Sequence, residues 1–349
     1  MRKRFLMGAT FVTTVLGASV ARGQEGVSPP LFASDEVLEL TLSADFSVLE
    51  SDRREETPER PGTVTLQTAD GSRVVLGVQL RTRGDFRKER ANCSFPPLRL
   101  NLETSQAAGT VFEGQDKLKM VGSCRPNRSS YEQLVLQEYL AYRAYALVSS
   151  TAFHVRLARV TYVDESGEGE PSERFAFFIE DNDALAVRLG ARVLELPEGR
   201  KLPPRLIDPP TEARMAVFQY MIGNTDWSDD VGHNVELLDR GGRALTVPYD
   251  FDFSGIVDAP YSIPHPRLGL RSVQERLFLG WCWPGLDMDP VLETFRGLRG
   301  EILGLYRGFP YLEDGERERA ISYLGAFFDD IETTERAQIR FLRDCRARP

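Results

Sequence analysis

The sequence predicts an α+β protein in two lobes, sheet-rich in its N-terminal part and mainly helical in its C-terminal part. Three observations predict it. Alternating apolar residues recur in short runs up to about residue 180, apolar residues at helical spacing dominate from Pro290 onward, and a polar hairpin lies between the two patterns. The chain has 349 residues and 42% hydrophobic content, enough to bury a large core.

The beginning of the chain sets the expected compartment. Arg2, Lys3 and Arg4 form a basic stub, the run from Phe5 to Ala21 carries no charge, and small residues around Ala21 and Gly23 offer a cleavage site. This three-part pattern reads as an export signal over residues 1–23. The uncharged run is short for a bilayer span. Residues 24–35 are polar, carry prolines and read as a leader. The expectation is an exported chain, periplasmic or extracellular, with no membrane span once the signal is removed. The net charge is −9, and loss of Arg2, Lys3, Arg4 and Arg22 would make it more acidic. So acidic a chain lacks the clustered Lys and Arg that a phosphate backbone needs, so nucleic acid is not an expected partner. The four cysteines allow three disulfide pairings, and in an oxidising compartment we expect Cys93–Cys124 and Cys282–Cys345, each within one half of the chain.

The sheet-rich lobe is expected over 36–181. Leu38, Leu40 and Leu42 alternate; Thr63 to Thr68 and Arg73 to Arg83 are alternating runs joined at Asp70-Gly71, a hairpin signal. Strands follow at Leu98 to Leu102 and Lys117 to Val121. Tyr131 to Val148 repeats its apolar residues at three and four, a helix that Ser129 or Ser130 can cap. Phe153 to Val163 and Arg174 to Ile179 read as further strands. The second lobe is expected over 182–349. Residues 197–210 hold five prolines and read as an extended link, and Thr211 caps a helix to Ile222 that Gly223-Asn224 close. Two short strands, Asn234 to Leu238 and Ala244 to Tyr249, turn at Gly241-Gly242, residues 256–285 are irregular, and helices follow.

Chemistry concentrates in residues 224–255. No G-x-S-x-G, H-E-x-x-H, Walker A or G-x-G-x-x-G motif is present, and His154, His233 and His265 are too scattered for a zinc set. Asp226 and Asn234 bound one loop, while Asp250 and Asp252 follow a strand able to pair back onto the Asn234 strand. Two residues apart on a strand, Asp250 and Asp252 would share a face. Hard oxygen donors of this kind suit Mg²⁺, completed by substrate phosphates. In a phosphoryl-transfer reading, Asp226 orients the attacking hydroxyl and Asn234 with Asp250 or Asp252 holds the metal. Lys119, or Lys117 on the same strand face, neutralises phosphate, and Glu138 pairs with that lysine. Glu180-Asp181 ends the inter-lobe hinge that offers backbone groups to the base.

The order of these pieces resembles the spore-coat CotH family of atypical, protein-kinase-like kinases. The resemblance is carried by Arg81-Thr82-Arg83-Gly84, then Asn224-Thr225-Asp226, Asn234 and Pro248-Tyr249-Asp250-Phe251-Asp252, over roughly residues 78–255. It implies a bilobal kinase-like fold, a cofactor set of ATP with Mg²⁺ or Mn²⁺, Arg83 at the nucleotide, and a protein or cell-envelope polymer as acceptor. Two other readings of the same residues stand beside it: a catalytically inactive kinase-like module that binds an envelope component, and a calcium-binding structural protein whose aspartates clip a metal.

Overall fold

The computed structural model describes residues 29–54, 56–67, 71–84, 86–167 and 169–347. The export signal assigned to residues 1–23 therefore lies outside the described residues, as does part of the leader. Among the described residues no helix is long and apolar enough to cross a membrane.

Seven strands build the first half: β1 (Leu38–Ala44), β2 (Arg60–Gln67), β3 (Arg73–Thr82), β4 (Leu98–Leu102), β5 (Lys117–Gly122), β6 (Val155–Asp164) and β7 (Ser172–Ile179). β1 to β4 alternate, so one face is apolar, whereas β5, β6 and β7 have stretches buried on both faces; closure turns the inner faces on a core that includes Leu42, Val64, Leu80, Leu100, Leu118 and Phe178. The strand order is β1-β2-β3-β4-β5-β7-β6, and the barrel closes where β1 pairs in parallel with β6, Leu40 opposite Val160. Closure into a barrel was not expected from the sequence. A sheet-rich pattern specifies the alternation but not the non-local pairing that seals the edge. Two short helices, α1 (Phe46–Ser51) and α2 (Thr104–Ala107), fill connections between strands.

The long helix α3 (Ser129–Val148) packs on the outside of the barrel against β5, β6 and β7. It is buried on most of its surface, because its other side meets the second half of the chain. That half contains α4 (Asn182–Arg188), β8 (Arg192–Val193), α5 (Pro209–Ile222), β9 (Val235–Arg240) and β10 (Arg243–Pro248). It ends with α6 (Asp289–Gly297), α7 (Arg299–Arg307), α8 (Asp314–Asp330) and α9 (Thr334–Arg340). A second hydrophobic core joins α3 to α5, the β9–β10 hairpin and the last four helices. The fold is thus α+β, with sheet-rich and helical regions.

The helix α5 begins two residues earlier than Thr211. Asp208 is its cap, accepting the Thr211 N–H at 3.1 Å, and Pro209-Pro210 occupy the first turn, where no N–H is missed. Both expected disulfides form, with Cα separations of 4.9 Å for Cys93–Cys124 and 5.1 Å for Cys282–Cys345. The second bond secures residues 341–346, whose Arg346 N–H donates to the Gly280 carbonyl while the Cys282 N–H donates to the Arg346 carbonyl. It spans 63 residues, so in the chain-entropy account its loss in Cys345→Ser is expected to cost about 4 kcal/mol. Chemical denaturation of the variant measures this directly, and a change below about 1 kcal/mol would count against it.

Candidate functional site

A cavity of about 520 Å³ lies between one wall of the barrel, made by the β3–β4 connection, β5 and the end of β7, and α3 with the segments that flank the β9–β10 hairpin. Strand alternation places Leu118 and Met120 inside the barrel, which turns Lys119 and Val121 outward into this cavity. The Lys119 Nζ donates to Asn182 Oδ1 at 2.6 Å, and Asn182 Nδ2 donates to Glu236 Oε2 at 2.5 Å. Burial, and then the neighbouring Arg83 guanidinium, hold Lys119 down to about 8. Arg83 lines the same wall with no ion-pair partner among the described residues.

From α3 come Glu138 and Tyr142, one turn apart and so on one face. The Asp250 N–H donates to the Tyr142 hydroxyl at 2.8 Å. Asp250 sits just past the end of β10, where the Tyr249 N–H donates to the Asn234 carbonyl at 3.0 Å. The hairpin therefore brings the end of the 224–234 loop beside the start of the 249–255 segment. A second tie lies deeper: the Gly255 N–H donates to the Gly223 carbonyl at 3.1 Å. Only glycine fits these two positions, since a Cβ on either would collide with the Tyr323 hydroxyl, and Gly223 has φ of +67° as the cap of α5.

The loop itself is stapled. Asn224 Oδ1 accepts the Asp226 N–H at 2.9 Å, and Ser228 and His233 pair as an antiparallel bridge. His233 Nε2 bonds Asp226 Oδ1 at 3.0 Å, and Asn234 Nδ2 donates to Asp226 Oδ2 at 3.1 Å. The bond to Asp226 raises the His233 pKa above its ordinary value. Further down the loop, buried Asp229 accepts from Arg346 at 2.8 Å and from Trp281 Nε1 at 2.7 Å. Among the described residues only Asn234, Asp250 and Asp258 combine a side chain with positive φ, and the first two border the cavity. Such backbone costs of order 1–3 kcal/mol per residue and clusters at functional sites.

The residue that sequence reading missed is Arg87. It sits in the short turn Phe86–Lys88 and is buried. Its guanidinium lies 2.8 Å from Asp252 Oδ2, 3.2 Å from Asp250 Oδ1 and 3.4 Å from Glu138 Oε2. Burial works against its charge, but Asp252, Tyr261 and Glu138 outweigh that and hold Arg87 well above its ordinary pKa. Burial pushes Glu138 and Asp252 up, and Arg87 pulls both back. Nothing in the run Arg81 to Arg90, which holds five basic residues, singles out Arg87; its partners lie 51 to 165 residues away.

Several expectations change accordingly. Glu138 pairs with Arg87 rather than with Lys119. Lys117 is exposed and does not line the cavity, although Lys119 does. Asp250 and Asp252 lie beyond the strand, not on one of its faces. The Asp250 side chain is 41% exposed, whereas Asp252 is 7% exposed and held by Arg87 and by the Tyr261 hydroxyl at 3.0 Å. The Glu180 carboxylate is buried against Arg188 at 2.6 Å, and its N–H is spent on the His154 carbonyl, so it offers no donor to a base. Asp181 caps α4 through the Asp183 N–H at 3.0 Å. Neither residue lines the cavity, while Ile179 just before them does.

No group of three or more His, Cys, Asp or Glu side chains able to hold a metal by themselves occurs among the described residues. A smaller donor set is present. The Asn234 amide oxygen accepts no hydrogen bond among the described residues, and Asp250 commits only Oδ1 to Arg87. Two hard oxygen donors of this kind fit a Mg²⁺ ion whose remaining ligands are phosphate and water.

No family model matches the chain. No curated protein matches it either. Among solved structures, the chain is similar to the Helicobacter pylori proinflammatory kinase CtkA, at 10% identity and a TM-score of 0.38, over 69% of this chain and 91% of that one. A likeness this loose assigns no residue roles.

Proposed function

We propose that this chain is an exported, CotH-like atypical kinase that transfers a phosphoryl group from a Mg²⁺–nucleotide to a hydroxyl on a protein or cell-envelope polymer. One observation carries the proposal: Lys119 from the barrel and Asp226, Asn234 and Asp250 from the second half border a single cavity, with Asn234 and Asp250 held in costly backbone. In this reading residues 36–181 act as the first lobe and 182–349 as the second, with the cavity as the cleft between them. The two disulfides suit an oxidising compartment.

Each side chain has a role in this chemistry. Lys119 and Arg83 neutralise phosphate oxygens. Asn234 and Asp250 would hold Mg²⁺, which when bound neutralises charge on the transferring group. Asp226, oriented by His233 and Asn234, accepts the acceptor hydroxyl's proton. As the new P–O bond forms, the bond from the transferred phosphorus to the nucleoside diphosphate breaks. Arg87 neutralises Glu138 and Asp252, which the reaction does not use, and also meets one oxygen of Asp250.

Lys119 gives a pH test. In the free protein its charge is lost as pH rises through about 8. Phosphate stabilises the charged form, so binding at pH 8 should take up about half a proton and affinity should fall above that pH. Calorimetry in buffers of different ionisation enthalpy measures the uptake, and Lys119→Met should remove it. Binding with no proton uptake in the parent protein would take Lys119 out of the phosphate site.

A second reading has its own support. Because Arg87, not Lys119, holds Glu138, the cavity also suits a kinase-like module that binds nucleotide without turning it over. Incubation with γ-labelled ATP and Mg²⁺ separates the two: transfer to an acceptor or to the chain itself supports the kinase, and binding without transfer supports the inactive module.

A further inference from the structure

We infer that Arg87 is a resident cation that takes the place of a second metal, so that the cavity accepts one divalent ion per nucleotide; this rests on the phosphotransfer reading of the same site. Phosphotransfer sites of this type often use two metal ions to balance their carboxylates. Here three carboxylates, Glu138, Asp250 and Asp252, converge on one buried guanidinium. Asp252 is the most heavily committed, taking Arg87 Nε at 3.0 Å as well as the Tyr261 hydroxyl at 3.0 Å.

Charge and geometry both limit the metal count. A guanidinium presents its donors in a fixed planar fork, and Arg87 spends Nε and one terminal nitrogen on these acids. It cannot leave by deprotonation, because a guanidinium keeps its charge at any ordinary pH. A second divalent ion would have to share Asp252 or Asp250 Oδ1 with that charge and would be repelled at contact distance. What remains outside the fork is the exposed side of Asp250 and the Asn234 amide oxygen. That is the donor set for one ion, with phosphates and water completing its sphere.

Mn²⁺ is the probe, titrated into the full disulfide-bonded protein with a non-hydrolysable ATP analogue and counted by paramagnetic resonance. The expected result is one nucleotide-dependent Mn²⁺ per chain. Two would overturn the inference and leave the phosphotransfer reading standing, whereas none would overturn both. The double variant Arg87→Gln/Glu138→Gln removes the cation together with one acid, which limits the uncompensated buried charge. It should bind a second Mn²⁺ at Asp250 and Asp252. A folded double variant that still binds one would show that Arg87 does not exclude the second ion. Should the double variant fail to fold, Asp252→Asn supplies the check: it should leave the count at one, since Asp252 serves Arg87 and not the metal, and a fall to none would overturn the assignment.

Discussion

Replacing Arg87 by methionine is expected to destabilise the folded chain by about 3–5 kcal/mol, among the largest effects any single substitution here should produce. The reason is electrostatic. Methionine keeps much of the side chain's volume but leaves Glu138 and Asp252 buried, close to Asp250 and without a counter-charge. The loss should shrink as pH falls. Burial already raises the pKa of both acids in the presence of Arg87, and without it they rise further, so protonation relieves the repulsion. The folded variant would then bind more protons than its unfolded chain, and its stability must fall as pH rises between the unfolded and folded pKa values. Urea denaturation of the parent protein and variant at acid and neutral pH measures both effects. A neutral-pH loss under about 1 kcal/mol would mean that the carboxylates separate or hydrate without Arg87.

The second large effect separates two aspartates by function. Asp226→Asn should leave Mg²⁺–nucleotide binding intact and lower phosphotransfer by about 10²–10⁴-fold, the scale of losing one positioned proton acceptor. The fold should be unaffected, because an amide at this position can still bond His233 and Asn234. Asp250→Asn should do the reverse of the first part, removing the metal dependence of nucleotide binding. Phosphotransfer by Asp226→Asn at the parent rate would take Asp226 out of the chemistry and leave it a loop staple.

The sequence carried the elements well where pattern is local. Strands β3 to β5 and the helix α3 follow directly from alternation and from apolar residues at three and four, and their observed ends differ by no more than a few residues. It carried much less where partners are distant. Barrel closure depends on β1 meeting β6, more than a hundred residues away, and no local pattern encodes a pairing partner. The choice between Lys117 and Lys119 was open because two residues apart share a face. Register decides it: Lys119 lies opposite Ile179 at the cavity, and Lys117 lies opposite Asn101 further along the strand.

Asp250 shows a different limit. Its spacing from Asp252 suggests a strand, yet β10 ends at Pro248, Asp250 turns to φ of +61°, and the two carboxylates meet only because Arg87 reaches both. Glu180 shows a third. An acidic residue at a strand end is compatible with a hinge, but burial against Arg188 and the use of its N–H in strand pairing are properties of the packed chain.

The most direct test is calorimetric titration of a non-hydrolysable ATP analogue into the folded protein, with Mg²⁺ and with chelator. The predicted result is one nucleotide bound per chain in Mg²⁺, weakened by about two orders of magnitude in chelator, with that difference lost in Asp250→Asn. Absence of nucleotide binding under every metal condition, by a parent protein whose disulfides are intact, would contradict it.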